Sequence, residues 1–162
     1  MAMAMMSWIL AIPVLGGMTG LRAMTPMAVL CWFAYLGNLP VAGTWAFWAA
    51  KPVTAIVFTV LALGELVGDK LPKTPNRTDA GPLVSRVAFG GLVGALAATG
   101  LTGSALEGIL LGGISALAGT WLGFLLRRWM VKDSGYKDLY VALVEDAIAV
   151  GFSILAMGVV TG

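Results

Sequence analysis

Residues 16–32 read GGMTGLRAMTPMAVLCW. One ionisable residue, Arg22, stands in an otherwise uncharged run, with Gly16, Gly17 and Gly20 before it and Pro26 after it. The apolar segment that contains it extends from Ser7 to about Leu36. As one straight helix it would be roughly 45 Å long at 1.5 Å per residue, against about 30 Å of hydrocarbon in a bilayer. It is therefore broken or kinked near Arg22. Either it is one tilted, kinked crossing, or it is two half-helices forming a re-entrant pair. Both solutions keep it in the membrane.

The rest of the chain agrees with that setting. Of 162 residues, 59% are apolar and 11% charged, where a soluble domain has about 45–50% and about 25%. Residues 1–21, 23–50, 87–106 and 108–126 contain no Asp, Glu, Lys or Arg. A soluble globular domain is excluded. With no His and a single Cys (Cys31), so are Ser-His-Asp and Cys-His catalysis, an imidazole or thiolate metal site, and an internal disulfide. A net charge of +2, local in its distribution, gives no argument for nucleic acid. The N-terminus has no basic region ahead of its apolar run, so a retained helix is expected in place of a cleaved signal peptide.

Charges and chain breakers predict an all-α polytopic transmembrane helix bundle forming one integral membrane domain over residues 1–162. About five crossings are expected: 7–36 (the broken segment), 52–69, 82–98, 104–126 and 138–160. Gly37-Asn38-Leu39-Pro40 reads as a turn, and Trp45, Phe47 and Trp48 suit an interfacial aromatic stretch. Loops 70–81 and 127–137 carry Lys70, Lys73, Arg77, Arg127, Arg128, Lys132 and Lys137, with only Lys51 opposing them. This imbalance predicts that both loops are cytoplasmic, in a multi-pass protein of a bacterial inner membrane. Small residues recur every fourth position at Gly90, Gly94 and Ala98, and at Ser104, Gly108, Gly112 and Ala116. Such stripes let helix backbones approach closely in lipid. They serve internal contacts or a seam between two copies, and a homodimer is expected for so small a bundle.

Six ionisable residues fall within the apolar segments: Arg22, Glu65, Asp69, Arg86, Glu145 and Asp146. Each costs several kcal/mol unless paired or hydrated. Glu65 and Asp69 share a helix face at i, i+4. Glu145 and Asp146 point about 100° apart, so both turn inward only if polar groups surround that helix. All but Arg22 fall near the cytoplasmic side, Arg22 near mid-depth, so the six are expected to form one cluster. Four acids against two arginines leave an excess of −2. Protons, a bound mono- or divalent cation or Lys70 would balance it, and Glu65, Asp69, Glu145 and Asp146 are the candidate metal or proton ligands. The loop KLPKTPNRT (70–78) sets Lys70, Lys73 and Arg77 where they would touch a phosphate or lipid headgroup; it also suffices as a membrane-surface anchor.

Three stretches carry a likeness to a known family: GGMTGLRAMTPMAVLCW (16–32), GELVGDKLPKTPNRT (64–78) with GPLVSR (81–86), and ALVEDAIAV (142–150). In this order they resemble the bacterial membrane proteins called domain of unknown function 4126. The resemblance implies a small polytopic inner-membrane protein and no particular activity. It implies weight for Arg22, Pro26, Glu65, Asp69, Lys70, Pro72, Lys73, Arg77, Arg86, Glu145 and Asp146.

The first expectation for function is a small transporter or channel whose carboxylates bind a cation or proton, with Arg22 and Arg86 shaping the site. The alternative is a membrane enzyme or binder that acts on a lipid phosphate through a metal–carboxylate site and the basic loop. A third reading is a structural subunit without ligand. The lipid bilayer is the one partner that every reading requires, and no catalytic residue or obligatory cofactor is expected.

Overall fold

The computed structural model describes residues 2–70 and 78–162. Among the described residues six α-helices follow in chain order: α1 (Ala2–Leu21), α2 (Met24–Tyr35), α3 (Pro52–Gly68), α4 (Ala80–Gly100), α5 (Ala105–Arg128) and α6 (Asp138–Thr161). A short 3-10 turn (Phe47–Ala50) precedes α3, and a π-helical turn (Trp129–Asp133) prolongs α5. The described residues contain no strand.

The first apolar segment resolves into two helices of opposite direction. At the start of α2, the Ala23 and Met24 N–H groups bond to Glu65 near the end of α3. Further along α2, Trp32 donates to Thr59, which is earlier in α3. The two helices are thus antiparallel. The chain beyond α2 then brings Leu39 and Val41 against Gly100, at the C-terminal end of α4. Meanwhile α1 starts with Trp8 beside Gly103 and ends with Gly20 and Leu21 beside Arg86. So α1 descends to Arg22, α2 climbs back, and the remaining helices alternate.

This is the re-entrant solution of the Arg22 break. Of the two arrangements expected for segment 7–36 the chain adopts the pair of helices, and the start of α1 and the end of α6 lie at the end of the bundle opposite Arg22. Pro13 lies inside α1 without ending it, whereas Arg22 and Ala23 lie between the helices. Twelve residues make α2 only about 18 Å long, and residues 36–51 complete its return.

Helix α4, helix α5 with its extension to Asp133, and helix α6 are long and apolar enough to cross a membrane. Large apolar side chains such as Val60, Leu63, Leu122, Leu125, Leu155 and Val159 stand exposed on α3, α5 and α6, as expected where lipid is the solvent. The chain is a helical membrane protein.

Its core lies between the helices at the end away from Arg22. Trp8, Ile12, Leu15, Met27, Leu30, Leu39, Val41, Val93, Leu96 and Met157 pack there. Trp8 is buried in that cluster. The small-residue stripes are used within one chain. Gly112 of α5 receives both neighbours: a Cβ on Gly16 would lie 2.5 Å from the Gly112 carbonyl oxygen, and one on Gly90 2.8 Å from it. Helices in lipid gain no hydrophobic effect by associating, so close backbone packing holds them. This packing seats the end of α1 between α4 and α5, and so places the break beside Arg86 and Thr120.

Candidate functional site

A helix break inside a membrane leaves the last carbonyls of one helix and the first N–H groups of the next without partners, and no water replaces them in hydrocarbon. Here ionised side chains from other helices fill those positions. Arg86 of α4 donates through Nη1 to the carbonyls of Gly20 and Leu21, at 2.7 Å each. Thr120 of α5 adds a bond to Gly20 at 3.2 Å, and Arg22 itself bonds to the Leu21 carbonyl at 3.1 Å. On the other side, the Glu65 carboxylate takes the Ala23 N–H at 2.8 Å and the Met24 N–H at 2.9 Å, one on each oxygen. The signs match the helix dipoles. Cations sit at the carbonyl end of α1 and an anion at the amide end of α2. Arg86 Nη2 and Glu65 Oε1 are 3.8 Å apart, which joins the two caps.

Arg22 stands between them and is fully buried. Its Nε donates to Asp146 at 2.7 Å, and its Nη1 pairs with Asp69. Nη2 lies 3.8 Å from Glu145 and makes no hydrogen bond among the described residues. Lys70 reaches the other oxygen of Asp146 at 2.7 Å and the Leu66 carbonyl at 2.8 Å. Arg127, in the last turn of α5, contacts Glu145 at 3.3 Å and grips Asp138 through two bonds of 2.8 Å. A continuous set of charges therefore ties the α1–α2 turn to α3, α4, α5 and α6. It lies about 9–12 Å from the basic end, judged by six residues of α4 before Arg86 and eight of α6 before Asp146.

All six sequence-selected residues lie in this region, but the acids do not form a bare carboxylate nest. Glu65 is engaged by the α2 amides, Asp69 and Asp146 by Arg22, and Glu145 by Arg127. Five acids (Glu65, Asp69, Asp138, Glu145 and Asp146) meet four cations (Arg22, Arg86, Lys70 and Arg127), so Lys70 and Arg127 offset part of the expected excess of negative charge. Among the described residues no three Asp, Glu, Cys or His side chains are grouped to hold a metal ion; the acids are held apart by Arg22, Lys70, Arg127 and the start of α2. Lys73, Arg77 and most of the basic loop lie outside the described residues.

Arg127 is the participant that sequence reasoning assigned elsewhere, to membrane orientation. A signal existed. Asp138 and Glu145 are seven apart on α6 and so share a face, and Arg127 ends the helix just before. Glu145 and Asp146 are both buried although they diverge around α6. Arg22 and Lys70 meet one of them and Arg127 the other.

The sequence profile of the family domain of unknown function 4126 matches residues 9–159. The chain belongs to that family. Domain of unknown function 4126 thus spans all of the helices from early α1 to late α6 and the whole charged region. No curated protein and no solved structure matches the chain.

Proposed function

We propose that this protein is a small transporter of the bacterial inner membrane, driven or gated by a proton or small cation that enters the charged region from the cytoplasmic side. The observation that carries this reading is the redundancy of partners around Arg22. One guanidinium has Asp69, Asp146 and Glu145 within reach, while Asp146 is shared with Lys70 and Glu145 with Arg127. In a low-dielectric site an added proton or cation on one carboxylate unbalances the set, and a neighbouring cation can move to the next acid. Such a set has more than one arrangement. Because its members come from α3, α5 and α6 and hold the α1–α2 turn, a change of pairing shifts the helices together.

Broken helices in transporters place dipole ends where substrates and coupling ions bind. In this conformation the protein's own Arg86 and Glu65 occupy those ends. Glu65 and Arg86 therefore serve as the closure that a substrate displaces, and Asp69, Asp146 and Glu145 as the groups that take the coupling ion. On this reading the basic loops face the cytoplasm and both chain ends the outer side, which the concentration of Lys and Arg in those loops supports.

The pairing of the acids with Arg22, Arg86, Lys70 and Arg127 favours a second reading, a subunit whose charges only lock the helices. Proteoliposomes separate the two. Proton or monovalent-cation flux above that of empty liposomes, abolished by Asp146→Asn in a variant that still folds, is the result expected of a transporter. Flux no faster than empty liposomes across a panel of pH and salt gradients, or flux unchanged in both Asp146→Asn and Asp69→Asn, would overturn it in favour of the structural subunit.

A further inference from the structure

Helices α3 and α5 both face lipid but pack on different neighbours, α3 on α2 and α5 on α4 and α1. Their apolar surfaces differ in height. On α3 the exposed large apolar side chains run from Val53 to Val67, about 21 Å at 1.5 Å per residue. On α5 they run from Leu106 to Leu126, where Arg127 and Arg128 follow, about 30 Å on the same measure. The second height matches the hydrocarbon of a bilayer, about 30 Å. The first falls short of it by about 9 Å.

The shortfall lies on the basic side. Helix α3 ends at the level of the Arg22 turn, where Glu65 takes the Ala23 and Met24 amides and Asp69 pairs with Arg22. On α5 the same level falls at Thr120, which donates to the Gly20 carbonyl. Beyond it α5 still shows Trp121, Leu122, Leu125 and Leu126 to lipid, whereas the sequence after Lys70 continues LPKTPNRTD with no apolar run. A short apolar helix is accommodated by snorkelling of flanking side chains, by association with another helix, or by thinning of the bilayer. Snorkelling does not fill this gap, because the Lys70 ammonium turns back to the Leu66 carbonyl and to Asp146. Glu65, Asp69 and Lys70 are moreover more exposed than Arg22, Glu145 and Asp146. The charged set therefore opens on the α3 side.

We infer that α3 is the thin flank of this protein: the hydrated headgroup layer on the basic side dips about 9 Å to meet Asp69 and Lys70, while on α5 it stays at Arg127 and Arg128. The dip brings water and headgroups to the open side of the charged set without a channel through the bundle. It does not rest on the transport reading, since membrane depth is measured with no gradient applied.

Nitroxide depth measurements on the full chain in dioleoylphosphatidylcholine liposomes test it, with Cys31→Ala removing the native thiol. Val67→Cys on α3 and Leu122→Cys on α5 carry the label. Both side chains face lipid, at 65% and 60% exposure, and both lie within a turn of the Arg22 level. Collision with an aqueous nickel chelate, relative to oxygen, is expected to place the label at position 67 about 9 Å nearer to water than the label at position 122. Should either variant fail to fold, Leu63→Cys and Leu117→Cys, each about one turn deeper, replace the pair with the same expected difference. Equal depths on the two helices would overturn the proposal. So would a label at position 67 shielded from both chelate and oxygen with spin–spin broadening in Val60→Cys, which would give the α3 face to a second copy of the chain.

Discussion

The turn at Arg22 and the seam between α4 and α5 solve the same problem by opposite means. At both, backbone is buried away from water. At the seam there is almost no side chain: Gly90, Gly94, Gly108 and Gly112 press backbone on backbone, and every amide is already satisfied within its own helix. At the turn the helical ladder stops, and the orphaned groups are met by the longest charged side chains available, Arg86, Arg22 and Glu65. The seam tolerates no added atom. The turn tolerates no lost charge.

Three substitutions sharpen that contrast, and the largest effect is expected at the turn. Arg22→Ala leaves Asp69 and Asp146 without their main partner. Breaking a buried ion pair typically costs about 3–5 kcal/mol, so thermal unfolding in detergent should fall sharply. Adding Asp69→Asn and Asp146→Asn should recover part of the loss. Absence of any recovery would mean that Arg22 acts by packing alone.

The seam should respond next. In Gly94→Ala the new methyl group meets the Gly108 carbonyl oxygen, and overpacking of this kind costs about 1–3 kcal/mol. Gly151, with open space around its Cβ position, provides the control: Gly151→Ala should not lower the melting temperature. Equal effects at both positions would show that helix propensity, not contact, decides.

The smallest effect is expected at Thr25. Its hydroxyl is buried near the turn and has no partner among the described residues. Thr25→Val removes an unsatisfied group at nearly constant shape, so stability should be unchanged or up to about 1 kcal/mol higher. A clear loss of melting temperature would show that the hydroxyl has a partner, such as a bound water.

The break itself was legible from Gly16, Gly17, Gly20, Arg22 and Pro26, because chain breakers and isolated charges act locally. The direction taken after the break was not. A kinked crossing and a hairpin bury the same residues and differ only in which neighbour receives α2. That neighbour is α3, held by Glu65, a contact between residues about forty apart. The pairing of Asp146 with Arg22 joins residues 124 apart, and no periodicity records it. Arg127 was misplaced for a related reason: a basic residue at the end of an apolar helix reads first as a membrane anchor, and only the return of α6 brings Asp138 and Glu145 to it.

The sequence by itself determined that this chain lives in a bilayer, since 18 charged residues in 162 leave too little polar surface for water. It also determined which residues had to be explained, because charge in hydrocarbon is costly wherever it falls. Only the tertiary structure decided what those charges do, namely to satisfy the break between two helices and to pair with one another across the bundle. Hydrophobicity is a property of each residue and can be summed along a chain. Compensation of charge is a property of pairs, and it exists only once packing has chosen them.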